Sequence, residues 1–136
     1  MNSKRLLVTA GAIFIFALLW NGLVHLVILA EANLALSPIT KPAAERSLGL
    51  SLFMTAAVAL LFAWSYARFA RPGGMKAGLL HGLFFALLAG ILVDLNQYVM
   101  YPIPASLAAK WFVFGLIEFC VYGALAARLY PINGNA

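Results

Sequence analysis

The chain alternates long apolar runs with short polar connections. Four apolar runs cover residues 6–30, 47–69, 76–100 and 105–130, and the segments between them contain the prolines, paired glycines and most of the charged residues. A membrane-spanning helix needs about 20 predominantly apolar residues. The pattern therefore predicts an all-α membrane protein, a single integral domain of four transmembrane helices arranged as two hairpins.

Composition agrees with this prediction. Hydrophobic residues make up 65% of the 136-residue chain and charged residues 10%, and the mean hydropathy is +0.98. Soluble domains carry about 25% charged residues. Little sequence remains outside the four runs, so a soluble catalytic domain is not expected. Because Cys120 is the single cysteine, an intrachain disulfide is also excluded.

The basic residues predict the orientation. Six of them fall on the side that carries both termini, and three fall on the other side. Cytoplasmic loops carry the excess of Lys and Arg, so we expect a bacterial inner-membrane protein with both termini in the cytoplasm. The net charge of +5 then reflects orientation and contact with anionic membrane lipids, and nucleic acid is not an expected partner.

A stripe of small residues marks the third apolar run. Gly78, Gly82, Ala86 and Gly90 recur at intervals of four residues. Small residues at this spacing allow the backbones of two membrane helices to approach closely. We therefore expect these four residues to form a helix-packing seam.

Two parts of the chain resemble each other. Phe16 to Leu19 and Leu23 to Leu26 align at one offset with Phe85 to Leu88 and Leu92 to Leu95, which pairs His25 with Asp94. Sequences this rich in Leu and Ala also match by chance. The alignment suggests a parallel internal repeat of two hairpins, related by an axis along the membrane normal.

Five polar residues interrupt the apolar runs and are candidates for a ligand or ion path: Asn21, His25, Asp94, Lys110 and Glu118. Charged groups in hydrocarbon are costly and need partners. Asp94 precedes Pro102 by as many residues as Lys110 follows it, which places both about 12 Å from the turn. We therefore expect an ion pair between Asp94 and Lys110, although Lys110 can instead extend to the lipid headgroups.

Glu118 lies near the middle of the fourth run. An apolar environment favours the neutral acid, which can hydrogen-bond to Asn21 or to another helix. Two interpretations stay open: a protonated structural glutamate, and a carboxylate linked to proton and substrate movement.

The leading functional hypothesis is a non-enzymatic subunit or scaffold of a membrane complex, whose partners are membrane lipids and other integral subunits or further copies of itself. Recognised catalytic and metal-binding motifs are absent from the sequence, and no cofactor is expected. The alternative is a small transporter or channel whose polar path is lined by Glu118, Asp94, His25 and Asn21. A weaker alternative is an electron-transfer subunit that binds haem or quinone through His25 or His81.

Overall fold

A computed structural model describes residues 1–132 of the chain. Four of its helices are long and apolar enough to cross a membrane, and we call them the first to fourth spans: Ser3–Ile28, Leu48–Phe69, Gly74–Met100 and Ala105–Leu129. All regular structure in the described residues is helical. The prediction of an all-helical protein with four membrane-spanning helices is confirmed.

Local side-chain contacts define where the first two spans begin. The Oδ1 atom of Asn2 accepts a hydrogen bond from the backbone N–H of Arg5 at 3.0 Å, and the Oγ atom of Ser47 accepts one from Leu50 N–H at 3.2 Å. Both side chains satisfy amide groups that the first helical turn leaves unpaired. The third span begins at Gly74, whose φ of +54° lies in a region that glycine adopts without strain.

The third and fourth spans make the most extensive helix contact among the described residues. A Cβ atom built on Gly78 would clash with the carbonyl oxygen of Gly123, and one built on Gly82 would meet the backbone of Phe119. Ala86 is buried on the same face of the third span as these two glycines. The predicted seam therefore lies against the fourth span, where Gly123 supplies a matching small residue.

The first span packs against the second and against the fourth. Its buried residues Ile13 and Ala17 belong to one apolar core with Ala59 and Ala63 of the second span and Ala126 of the fourth. The alanines keep these helices close together, as small residues do in membrane interfaces.

The two ends of the bundle are distinct. At one end, which we call the termini side, the backbone N–H of Asn2 donates a hydrogen bond to the hydroxyl of Tyr130 at 3.0 Å. At the other end, the loop side, a second core joins the long first connection to the third: Leu29, Leu36, Ile103 and Leu107. The first connection contains two short helices, Ala30–Leu34 and Ala43–Glu45.

Two of the spans contain a π-helical turn near the loop side. The turns cover Val24–Ile28 in the first span and Gly90–Leu95 in the third. In the first turn, the Leu29 N–H donates to the Val24 carbonyl at 2.7 Å, five residues back along the chain. Such turns widen a helix locally and are frequent at functional sites. The hydropathy pattern does not indicate them.

Candidate ligand site

A cavity of about 360 Å³ lies between the first, third and fourth spans. Its lining includes apolar side chains and glycine, together with five polar residues and two tryptophans: Asn21, His25, Asp94, Gln97, Glu118, Trp20 and Trp111. Four of the five predicted path residues therefore share one cavity. A volume of this size suits a small-molecule ligand.

The π turns contribute directly to this cavity. His25 lies in the first turn and Asp94 in the second, and both side chains line the space between the helices. Asn21 and Trp20 precede the first turn, and Gln97 follows the second. The two widened helices thus bring polar groups from distant parts of the sequence to the same end of the cavity.

Glu118 approaches the cavity from the middle of the fourth span. Its Oε1 atom accepts a hydrogen bond from the Asn21 side-chain amide at 2.7 Å and another from the Tyr122 hydroxyl at 2.5 Å. The same Asn21 amide group also donates to the Ala17 carbonyl at 2.9 Å. The hydrogen bond between Glu118 and Asn21 that we considered from the sequence is therefore present, and it joins the first and fourth spans.

Both donors bind the same oxygen of Glu118. In the described part of the chain, its second oxygen, Oε2, takes part in no hydrogen bond. The two hydrogen bonds to Oε1 orient the carboxyl group of Glu118. Its Oε2 atom stays available to accept a hydrogen bond or to contact a cation. Asp94 adds a second carboxyl group to the cavity, and neither lysine nor arginine is among the described residues that line it.

The prediction of an ion pair between Asp94 and Lys110 is wrong. Lys110 is exposed and lines a separate groove beside Ile28, Leu29 and Val113, whereas Asp94 faces the cavity. Equal distance from the turn placed the two residues at similar depth but not on facing sides of their helices. Lys110 thus lies outside the group of candidate path residues.

Two tryptophans of the cavity lie outside the five predicted path residues, although the sequence suggested a polar notch lined by Trp20, Asn21 and His25. The indole N–H groups of Trp20 and Trp111 are both buried, and neither has a hydrogen-bond acceptor among the residues that the structure describes. Buried donors of this kind are normally paired. The available sequence signal was the position of Trp20 beside Asn21, which is also typical of a residue at the membrane interface.

Aromatic rings pack together on the termini side of the cavity. Phe62, Phe85, Phe119 and Tyr122 come from three different spans, and their ring centroids lie between 5.1 and 6.4 Å apart in the contacting pairs. Phe62 is 1% exposed and Tyr122 is 3% exposed. This aromatic cluster lies between the cavity and the termini side.

Toward the loop side, the cavity adjoins a larger one of about 700 Å³, which we call the vestibule. His25 and Trp111 line both spaces. The remaining polar lining of the vestibule comes from the first connection and includes Lys41 and Arg46. His25 and Trp111 therefore border both spaces.

His81 belongs to a different part of the bundle. Its Nε2 atom lies 3.0 Å from the Ser65 hydroxyl, and its ring packs against Phe62, Tyr66 and Phe85. His25 lies across the aromatic cluster, in the cavity. The described residues contain no group of three or more His, Cys, Asp or Glu side chains placed to hold a metal ion. One haem iron cannot take both histidines of a single chain in this arrangement.

Comparison of the chain with protein-family models, with curated proteins and with solved structures found no match. The geometry of the cavity is therefore the basis for inferring function.

Proposed function

We propose that this protein is a small membrane transporter whose cavity binds a small organic cation. The observation that carries the proposal is the convergence of Glu118 and Asp94 with two tryptophans in a cavity that has no lysine or arginine among its described lining residues. Polar and ionisable groups inside a membrane protein are costly, and they commonly mark a path for substrate or ions.

The lining favours a cation with an organic substituent. In their ionised forms, Glu118 through its free Oε2 atom and Asp94 supply negative charge to the cavity. Trp20 and Trp111 also line the cavity, and aromatic rings attract ammonium groups through the ring quadrupole. The rest of the lining is largely apolar and suits alkyl substituents.

Transport is supported by the depth of the cavity and by the aromatic packing on one side of it. Glu118 lies near the middle of a helix long enough to span a membrane, and the aromatic cluster packs on the termini side of the cavity. Transporters bind substrates near the bilayer midplane and close the two sides alternately. We interpret the structure as the state that is open to the loop side.

The architecture that we propose for this transporter keeps the two hairpins and the internal repeat. The repeat is supported by the two π turns, which overlap in the alignment that pairs His25 with Asp94. We also propose that the termini side is cytoplasmic, as the excess of basic residues there favours.

The other functional hypotheses stay predictions. A scaffold role in a larger complex requires no polar cavity, so the convergence of Glu118 and Asp94 favours ligand binding. The haem hypothesis is weakened because His25 and His81 lie in separate clusters.

The proposal is tested by measuring choline binding to the purified full-length protein in phosphatidylglycerol nanodiscs. Trp20 and Trp111 line the cavity, so their fluorescence reports its occupation. We expect a saturable change with choline and none with equal sodium chloride. Glu118→Gln should weaken choline binding about tenfold or more, because a desolvated charge contact is lost.

Glu45→Gln is the matched control, since Glu45 is exposed in the first connection and lies outside the cavity. Uptake of labelled choline into proteoliposomes then tests transport. Equal binding by the native protein and Glu118→Gln would contradict the proposed site, and binding without uptake would contradict the transport step.

A further inference from the structure

The vestibule has the opposite charge character from the cavity that it adjoins. Lys41 and Arg46 line the vestibule, whereas the cavity carries Glu118 and Asp94. Both spaces share His25 and Trp111 as lining residues. A molecule that occupies both spaces therefore meets cationic side chains at its loop-side end and carboxyl groups at its inner end.

Arg46 is positioned by the connection itself. Its Nε atom donates to the Lys41 carbonyl at 2.8 Å, and its Nη2 atom lies 3.5 Å from the Thr40 hydroxyl. Neither partner is an acid, and no carboxylate pairs with this guanidinium within residues 1–132. Arginine has five N–H donors in a rigid fork that fits phosphate and carboxylate groups. Several of these donors stay available to a ligand.

Trp111 supplies a further donor at the junction of the two spaces. Its buried indole N–H has no acceptor among the described residues. An ammonium group does not satisfy this donor, because it has no acceptor atom. An oxygen atom of the ligand placed between the vestibule and the cavity would pair with it.

We propose that the ligand is amphoteric: an ammonium group binds in the cavity beside Glu118, and a covalently linked phosphate or carboxylate binds in the vestibule to Lys41, Arg46 and the Trp111 indole N–H. This inference rests on the proposed function and narrows its substrate class. The shared chemistry fits a soluble amphoteric molecule, and it also fits the headgroup of an amine-bearing phospholipid.

The test compares choline with phosphocholine, which adds a phosphate to the same ammonium group. Binding is measured by tryptophan fluorescence of the full chain in phosphatidylglycerol nanodiscs, whose lipid carries no ammonium group. We expect phosphocholine to bind about tenfold more tightly than choline, since charge-assisted hydrogen bonds are added. Glycerol phosphate, which lacks the ammonium group, should bind more weakly than phosphocholine.

The double substitution Lys41→Gln and Arg46→Gln should abolish the preference for phosphocholine over choline. Retained choline binding also shows that this variant is folded. The matched control removes two positive charges on the termini side through Arg71→Gln and Lys76→Gln, which lie outside both spaces. This control should keep the preference for phosphocholine.

Two results would overturn the inference while choline binding stands: equal affinities for choline and phosphocholine in the native protein, or an unchanged preference after the double substitution. If the native protein does not bind choline, or if Glu118→Gln binds choline equally well, the proposed function itself is refuted. Adding phosphatidylethanolamine to the nanodiscs distinguishes a phospholipid headgroup from a soluble molecule as the ligand. A weaker apparent phosphocholine affinity then supports a lipid headgroup, and an unchanged affinity supports a soluble ligand.

Discussion

Glu118 receives two hydrogen bonds on one oxygen atom, Oε1. Asn21 donates from the first span, and Tyr122 donates from the next turn of the helix that carries Glu118. This arrangement fixes the carboxyl group without using its second oxygen. Asn21 is the link that crosses between spans, so its contribution to stability can be separated from the local contact with Tyr122.

A double-mutant cycle measures that link. Asn21→Leu and Glu118→Leu, made singly and together, should show a coupling energy of about 1 kcal/mol, because hydrogen bonds between membrane helices contribute in this range. The measured quantity is the free energy of unfolding in bicelles during titration with a denaturing detergent. Thr55→Ala paired with Glu118→Leu is the control, since the Thr55 hydroxyl donates to the Ser51 carbonyl in its own helix. Independent effects of Asn21→Leu and Glu118→Leu would argue against the cross-span bond.

At the scale of helices, the close contact between the third and fourth spans supports one wall of the cavity. Gly78 and Gly82 allow this contact because the fourth-span backbone occupies the space where their Cβ atoms would lie. Backbone atoms cannot move aside as a side chain can. Glycines in open positions, such as Gly22, have no such constraint, since nothing lies within 4 Å of the place where a Cβ would be.

Gly82→Ala should therefore destabilise the protein by about 1 to 3 kcal/mol, the range found for overpacked cores. Gly22→Ala should leave the free energy of unfolding unchanged or raise it by up to about 1 kcal/mol, because alanine has the higher helix propensity. Parallel unfolding measurements on the two variants check this difference. Similar losses for both would show that the seam is not a specific contact.

Gly90→Ala tests a different kind of contact in the same helix pair. The added methyl group would meet the ring of Phe112 and not the backbone. We expect a loss of about 1 kcal/mol from overpacking, most of which Phe112→Leu should restore by removing the ring. Unfolding of the single and double variants measures the rescue. Phe112→Leu should fail to rescue Gly82→Ala, whose clash involves Phe119.

For the whole molecule, the loop side and the termini side differ in structure. The vestibule lies among residues of the first connection, while the aromatic cluster packs on the termini side of the cavity. If the termini side of the proposed transporter is cytoplasmic, its vestibule lies toward the opposite face of the membrane. Orientation therefore decides from which compartment the proposed ligand would enter.

Cysteine labelling in intact cells tests this orientation. In a Cys120→Ala background, Ser37→Cys lies exposed on the loop side and Ser3→Cys lies exposed on the termini side. A membrane-impermeant thiol reagent should label Ser37→Cys in intact cells and should label Ser3→Cys only after permeabilisation, as the positive-inside rule predicts. The reverse pattern would place the ligand entrance in the cytoplasm.

The sequence by itself determined the four membrane-spanning helices, because the bilayer thickness requires apolar runs of a certain length and the prolines and glycines between them interrupt helices. It also indicated the seam at Gly78 and Gly82 and the hydrogen bond between Asn21 and Glu118. Depth along a helix follows from residue spacing, so residues at similar depth could be recognised.

Only the tertiary structure decided which of those residues face one another. His25 and Asp94 lie within π turns and line the cavity, whereas the rotation of the fourth span about its axis leaves Lys110 in a separate groove. Neither property follows from hydropathy, since a helix that is apolar on all sides carries little information about its rotation. Helix rotation places Trp20 and Trp111 in the cavity, and the position of the first connection places the vestibule beside it.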